Sequence, residues 1–321
     1  MKYQIAQLST PGGRSSNEDR CAIGERKNAV LLALADGLGG HTGGELASQT
    51  AIETVMRLFQ GVKQPRINDP FAFLAFSMLK AHRAIVSRAQ AHTPPLEART
   101  TCVLCLVQEG YAYWAHVGDS RLYHFRAGRL LTRTEDHSTI EELRRDGVIT
   151  EDEMATHPRK SYLLRCLGSR TEPRISLGSE TPLQTGDTLL LCSDGLWEGL
   201  PAEDIAKHLA VPRLERGVEE MVYAAEKRMG ANCDNVTVAC LRWEDRPALQ
   251  LAARAPIAPQ VDAELLWRGA ASRHAARRAS PPEAAAETAP PPRAKPADRR
   301  ELIAERIQEI EEYLRRFEPK R

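Results

Sequence analysis

Three apolar runs in this chain meet an aspartate at one end, and that placement constrains the fold more than any other feature. Val30 to Ala35 runs into Asp36-Gly37-Leu38-Gly39-Gly40, Leu189 to Cys192 runs into Ser193-Asp194-Gly195, and Asp234-Asn235 opens Val236 to Leu241. The runs read as strands, and a carboxylate at a strand end is costly unless something positive sits there. A sheet that gathers three such ends, far apart in sequence, at one edge can place them around hard cations. Oxygen-only ligands of this kind suit Mg²⁺ or Mn²⁺, not Zn²⁺.

At 321 residues the chain has room for one large domain or two small ones. Its 42% hydrophobic and 27% charged content is that of a globular protein. A net charge of +1 argues against a general nucleic-acid binder, which shows a basic face. No apolar run approaches the roughly 20 residues of a membrane span, so no membrane partner is expected. The mixed stretch Tyr3 to Thr10 after Lys2 does not read as a signal peptide, and a cytoplasmic location is the expectation. The 7 cysteines are odd in number, and Cys21, Cys166, Cys192 and Cys240 lie in or near apolar stretches, as buried thiols of a reducing compartment do. Cys102 and Cys105 have the spacing of a metal or redox pair. In a strand, however, residues three apart point to opposite faces, and no second pair accompanies them.

The character of the chain changes near residue 245. Before it, Tyr3 to Ser9 and Cys21 to Ala35 read as strands, the latter with a turn at Glu25 to Asn28. Gly44 to Gln60 and Phe71 to Ala91 carry apolar residues at helical spacing, the second ending before Pro94-Pro95. Thr101 to Gln108, Tyr111 to Gly118 and Arg121 to Arg126 follow as strands, with a short one at Leu130-Leu131. Charged short helices at Ser138 to Asp146 and Thr150 to Thr156 have few apolar groups to bury, so residues 136–165 read as a surface subdomain or lid. The strand pattern returns from Glu172 to Leu191; helices at Pro201 to Ala210 and Val211 to Met229 and a strand at Val236 to Trp243 complete it. Two helices after the second strand and two before the last would cover both faces of a β-sandwich. The expected fold is therefore α+β, a four-layer αββα sandwich of two antiparallel sheets flanked by helices, with a small helical lid.

Residues 1–245 form the expected folded domain. Residues 246–297 are rich in Ala, Pro and Arg and read as a disordered linker. Within 298–317, Leu302, Ile303, Ile307, Ile310, Tyr313 and Leu314 recur at helical spacing among Glu and Arg, the pattern of an amphipathic helix. Such a helix packs on its own domain, dimerises or docks a partner; its mixed charge argues against a membrane anchor.

The motifs of residues 1–243 resemble, in order, those of the metal-dependent protein phosphatases of the protein phosphatase 2C type. Arg14-Ser-Ser-Asn17-Glu18-Asp19 resembles the opening motif, and Asp36-Gly-Leu-Gly-Gly-His41, followed by a helix with Glu45, Ala47 and Ser48, the metal motif. Thr100-Thr101 with Val117-Gly118-Asp119-Ser120-Arg121 resembles the central hairpin. Asp136-His137-Ser138 and Leu164-Arg165-Cys166-Leu167-Gly168 bracket the lid of bacterial members, and Ser193-Asp194-Gly195 and Asp234-Asn235-Val236-Thr237 complete the set.

The chemistry makes sense of these residue types. Neutral water attacks a phosphomonoester poorly, whereas two cations about 4 Å apart can hold a bridging hydroxide and neutralise transition-state charge. Asp36 is the candidate bridging carboxylate, the Gly37 carbonyl a ligand of one ion, and Asp194 and Asp234 terminal ligands. Glu18 and Asp19 are expected to act through metal-bound waters, and Arg14 to bind phosphate with its planar fork. Asp119, with Asp194, is the candidate for a third ion by resemblance to bacterial members; its other reading is an ordinary hairpin turn residue. Asn235, Thr237 and Asn17 are expected to orient the loops.

One departure matters. Many eukaryotic members carry a histidine directly after the first Asp-Gly, as a proton donor to the leaving oxygen, and here that position is Leu38. His41 could equally cap the following helix, while His137 and His157 are expected in structural or solvent-facing roles. The resemblance implies a bacterial-type serine/threonine phosphatase using two, and with Asp119 three, Mn²⁺ or Mg²⁺ ions on phosphoprotein substrates, with a cognate kinase and its targets as partners. The alternatives are a catalytically silent phosphoprotein-binding domain and a small-molecule phosphatase on the same fold.

Overall fold

The computed structural model describes residues 1–38, 41–150, 153 and 163–245. The expected linker, the helix at 298–317, most of the helix at Thr150 to Thr156, and His157 lie outside the described residues. The strands are β1 (Tyr3–Thr10), β2 (Arg20–Arg26), β3 (Ala29–Ala35), β4 (Gly37–Leu38), β5 (Arg99–Thr100), β6 (Cys102–Gln108), β7 (Tyr111–Val117), β8 (Arg121–Arg126), β9 (Arg129–Arg133), β10 (Ser176–Leu177), β11 (Thr181–Pro182), β12 (Thr188–Cys192) and β13 (Val236–Trp243). The helices are α1 (His41–Gly61), α2 (Pro70–Gln90), α3 (Thr139–Arg145), α4 (Asp194–Gly199), α5 (Ala202–Leu209) and α6 (Leu214–Met229).

One sheet has the order β1-β13-β12-β8-β9; the other runs β10-β7-β6-β3-β2, with β11 also on β7. Every pairing is antiparallel. The strands alternate between two apolar faces, and this is what builds layers. In β3, Ala29, Leu31, Ala33 and Ala35 pack with α1 and α2, while Val30, Leu32 and Leu34 enter the space between the sheets. In β12, Leu189 and Leu191 face that same space, and Leu190 and Cys192 pack under α4 to α6. A strand apolar on both faces is stable only when both are covered. Three hydrophobic layers therefore separate four structural ones, the αββα sandwich expected from sequence. Cys102 and Cys105 fall into different layers, on opposite faces of β6.

Local chemistry starts the helices where they start. Asp69 caps α2, its side chain accepting the Ala72 N–H at 2.9 Å, with Pro70 at the first helical position. Leu214, Val218, Met221, Val222 and Ala225 make the buried stripe of α6. The described part of the 139–162 segment is a separate unit, in which α3 contributes Ile140 and Leu143 to a small cluster with Val148 and Ile149.

Register then gathers the aspartates. β13 is antiparallel to β12 with Val238 opposite Cys192, so the start of β13, after Asp234, lies beside the end of β12, before Asp194. Arg121 also pairs with Cys192, which brings the β7–β8 turn with Asp119 to the same end. Thr10 pairs with Val236, and Arg20 with Ala35, so residues 11–19 and Asp36 arrive there too.

Candidate active site

The backbone of Asp36 is fully committed. Its N–H donates to Thr101 Oγ1 at 3.0 Å, and its carbonyl accepts from Thr101 N at 2.9 Å and Thr100 Oγ1 at 2.7 Å. The next two residues form β4, paired with β5. The sequence reads as a strand from Thr101; in the structure β6 begins one residue later, at Cys102, because Thr101 gives its N–H and its hydroxyl oxygen to the backbone of Asp36. Held in this way, the Asp36 carboxylate is fixed in direction. Gly37 follows because nothing larger fits: a Cβ would land on the Gly44 carbonyl and within 2.7 Å of the Glu18 carbonyl oxygen. Glu18 itself lies over Gly44 at the start of α1, and its carbonyl accepts from Ser48 Oγ at 2.5 Å. His41 is the first residue of α1.

Asp19 is buried near Asp36, and its carboxylate accepts from Ser193 Oγ at 2.7 Å. Asn235 ties the surrounding loop: its Oδ1 accepts the Glu18 N–H at 2.8 Å, and its Nδ2 donates to the carbonyls of Pro11 and Ser16 at 3.0 and 2.8 Å. Asn17 donates to Ser9 Oγ at 2.9 Å and accepts the Asp19 N–H at 3.0 Å. Asp194 opens α4, a helix missed in the sequence because Ser193-Asp194-Gly195 reads as a turn. Asp234 accepts from Arg14 Nη2 at 2.7 Å, and both side chains reach solvent. Asp119 is buried in the β7–β8 turn after Gly118, whose φ of 106° only glycine adopts without strain.

The carboxylates perturb one another. Burial, then Asp19, Asp194, Asp119 and Asp234, hold the Asp36 carboxyl well above the usual range. Asp194 is raised in the same way, by burial and then by Asp119, Glu198, Asp234 and Asp19. Burial chiefly pushes Asp19 and Asp119 up to about 7. Arg14 faces Asp234, Asp194 and Glu18, and its guanidinium is held more strongly protonated by them. Arg121 is engaged by Asp136 in a bidentate pair at 2.9 and 2.7 Å. Such a concentration of buried and half-buried carboxylates is what divalent cations neutralise, and every donor is a hard oxygen, so the residues present fit Mn²⁺ or Mg²⁺. Among the described residues no three His, Cys, Asp or Glu side chains converge into a ready-made cage.

The sequence set Asp36, Gly37, Asp194, Asp234, Asp119, Glu18, Asp19, Asn235 and Arg14 is thus brought to one end of the sandwich. Sequence reasoning misses Ser193, which bonds Asp19, and Trp197, which reaches the Asp119 loop. Trp197 lies one turn beyond Asp194, a spacing informative only once α4 is known to be helical.

The family model described as Protein phosphatase 2C matches residues 12–231, and the chain belongs to that family of serine/threonine protein phosphatases. Serine/threonine protein phosphatase PstP of Mycobacterium tuberculosis is 34% identical over 227 residues, 70% of this chain but 42% of that protein, so the chain spans less than half of that relative's length. Serine/threonine phosphatase stp of Listeria monocytogenes is 32% identical over 238 residues, 73% of this chain and 93% of the relative. Among solved structures, the Streptococcus agalactiae serine/threonine phosphatase superposes with a TM-score of 0.69 at 31% identity, over 76% of this chain and 100% of that one. The PstP catalytic domain in complex with 2 manganese ions superposes with a TM-score of 0.65 at 33% identity, over 76% and 99%.

Proposed function

We propose that the chain removes phosphate from phosphoserine and phosphothreonine in proteins, using two divalent cations, Mn²⁺ or Mg²⁺, held by Asp36, the Gly37 carbonyl, Asp194 and Asp234. The observation that carries this reading is the convergence of carboxylates from five distant segments, Asp19, Asp36, Asp119, Asp194 and Asp234, on one end of the sandwich, where burial and the neighbouring carboxylates hold Asp36 and Asp194 well above the usual range. When bound, the cations supply an activated water and neutralise charge on the phosphoryl oxygens. The chain's own residues do the rest. Thr100 and Thr101 aim Asp36, and Asn235 and Asn17 hold the loop that carries Glu18 and Asp19. Glu18 and Asp19 orient water at the site. Arg14, exposed at its rim, trades its pair with Asp234 for the substrate phosphate, where its fork makes two hydrogen bonds. Leu38 has no proton to give, so the leaving oxygen is protonated by a route other than the residue after Asp36-Gly37. Asp119 with Asp194 holds a third, weaker ion. Phosphoproteins of a cytoplasmic kinase pathway are the substrates this reading implies.

Asp36→Asn tests it. Hydrolysis of p-nitrophenyl phosphate and of a phosphothreonine peptide should require Mn²⁺ or Mg²⁺, stop on chelation, and fall at least about 100-fold in the variant. Undiminished turnover in metal-free buffer would sink the mechanism.

A further inference from the structure

The β8–β12 ladder ends at the Arg121–Cys192 pair, and both strands then lead into carboxylates: Ser120-Asp119 on one side, Ser193-Asp194 on the other. Beyond that pair no ladder bond fixes the distance between the two carboxylates. Several contacts hold the Asp119 turn. His137 donates its backbone N–H to the Gly118 carbonyl at 2.9 Å and accepts the Gly118 N–H on its ring Nδ1 at 3.1 Å. The ring is itself fixed, stacked on His116 at 4.5 Å with Nε2 2.8 Å from Ser176 Oγ. The third hold is the indole of Trp197, whose Nε1–H donates to the Asp119 carbonyl at 3.1 Å. The Arg121 guanidinium lies over that ring, 3.7 Å from its centroid, and is anchored by Asp136 and by Tyr123 Oη at 2.9 Å. Of these contacts, only the indole belongs to the helix that Asp194 opens.

Resting on the reading of Asp119 and Asp194 as ligands of a third ion, we infer that Trp197 is a positioning residue that sets the separation of these two carboxylates. Its ring is carried on α4 one turn past Asp194, and its N–H ends on the backbone of Asp119. The indole is therefore a fixed-length strut between the two ligands. Arg121 stacking holds the strut's direction, and the indole N–H, spent on the Asp119 carbonyl, does not occupy the Asp119 carboxylate. The strut spans the gap that the ladder no longer bridges.

Trp197→Phe removes the N–H and keeps a ring for Arg121. Full-length wild type, Trp197→Phe and Asp119→Ala are titrated with MnCl₂ by calorimetry, which reads ion binding independently of turnover. The wild type should show a tight class of sites and a weak one. Asp119→Ala should remove the weak class. Trp197→Phe should raise its dissociation constant about three- to tenfold, the worth of one hydrogen bond, and leave the tight class within about twofold. A weak class of wild-type affinity in Trp197→Phe, when Asp119→Ala abolishes it, overturns the role of Trp197 alone. A weak class that survives Asp119→Ala overturns the third-ion assignment and the strut with it; no tight class in the wild type overturns the proposed function itself. If Trp197→Phe does not fold, the indole N–H signals of the wild type decide. Trp114 and Trp243 lie between the sheets, and the signal of Trp267 is identified by its loss in Trp267→Phe, so a Trp197 indole that shifts only during the weak Mg²⁺ step supports the strut. Indole signals unmoved through that step overturn it.

Discussion

Gly37→Ala adds one methyl group at the tightest place in the site. The new Cβ would meet the Gly44 carbonyl on one side and lie 2.7 Å from the Glu18 carbonyl oxygen on the other. Both obstacles are backbone, so no side-chain rotation relieves them. The start of α1 and the loop before β2 must both retreat until each contact opens to at least 3.0 Å. Overpacking costs about 1–3 kcal/mol at a site that can yield, and two rigid walls place this one near the top, at about 3 kcal/mol. For a domain of this size that is a fall of roughly 6–12 °C in thermal midpoint. Because Gly37 follows Asp36 directly, Mn²⁺ affinity should fall as well. Gly61→Ala is the matched control: nothing lies within 4 Å of its Cβ, at the end of α1. The same chemical change there should be neutral or stabilising by up to about 1 kcal/mol. Thermal melts with and without Mn²⁺ on both variants provide the comparison. A Gly37→Ala protein that melts within about 1 °C of wild type and binds Mn²⁺ equally well would refute the close-approach argument.

Asp187 gives a pH signature away from the metal site. Burial pushes its carboxyl up, but the Arg126 fork, His124 and the Gln184 N–H outweigh burial and hold it at about 2. Its unfolded value is about 3.9, so the folded value is the lower one. The stabilisation, about 2 kcal/mol, is therefore full above about pH 5 and drains away as pH falls toward 2. Asp187→Asn should be clearly less stable than wild type at pH 7, and the gap should shrink by pH 3; a gap independent of pH would contradict the linkage. Arg14→Ala should lower kcat/KM on a phosphopeptide about 10- to 100-fold, the worth of charge-assisted bonds to phosphate. Its thermal midpoint should stay near wild type, since the exposed pair with Asp234 is worth at most about 1 kcal/mol; a large stability loss would count against a substrate role. Deletion of residues 246–321 should preserve turnover of p-nitrophenyl phosphate and weaken partner capture. Failure of the truncated protein to fold would assign that segment to the core.

The layers were legible because β3, β6, β12 and β13 are apolar at nearly every position, a pattern that demands cover on both faces. The strand-end aspartates were legible for the complementary reason, that each breaks such a run with an uncompensated charge. Other features depend on register, which periodicity does not carry. The capture of Asp36 by Thr100 and Thr101 needs β4 and β5 to be adjacent. The pairing of Ser193 with Asp19 joins segments 174 residues apart. The link from Trp197 to Asp119 requires both the β8–β12 ladder and a short helix hidden behind a turn-like sequence.

The first and last strands of the sandwich are neighbours. β1 pairs with β13 along its whole length, from Tyr3 opposite Trp243 to Thr10 opposite Val236. Lys2 binds the far end as well, through its own N–H to Asp245 Oδ2 at 2.8 Å and its carbonyl to the Glu244 N–H at 2.9 Å. Entry and exit of the polypeptide therefore sit side by side, and the opposite end of these two strands carries Asp234. A domain with that geometry is a cassette: it can be spliced into a loop of another protein, or circularly permuted with a short connector, without stretching the strands that deliver the carboxylates.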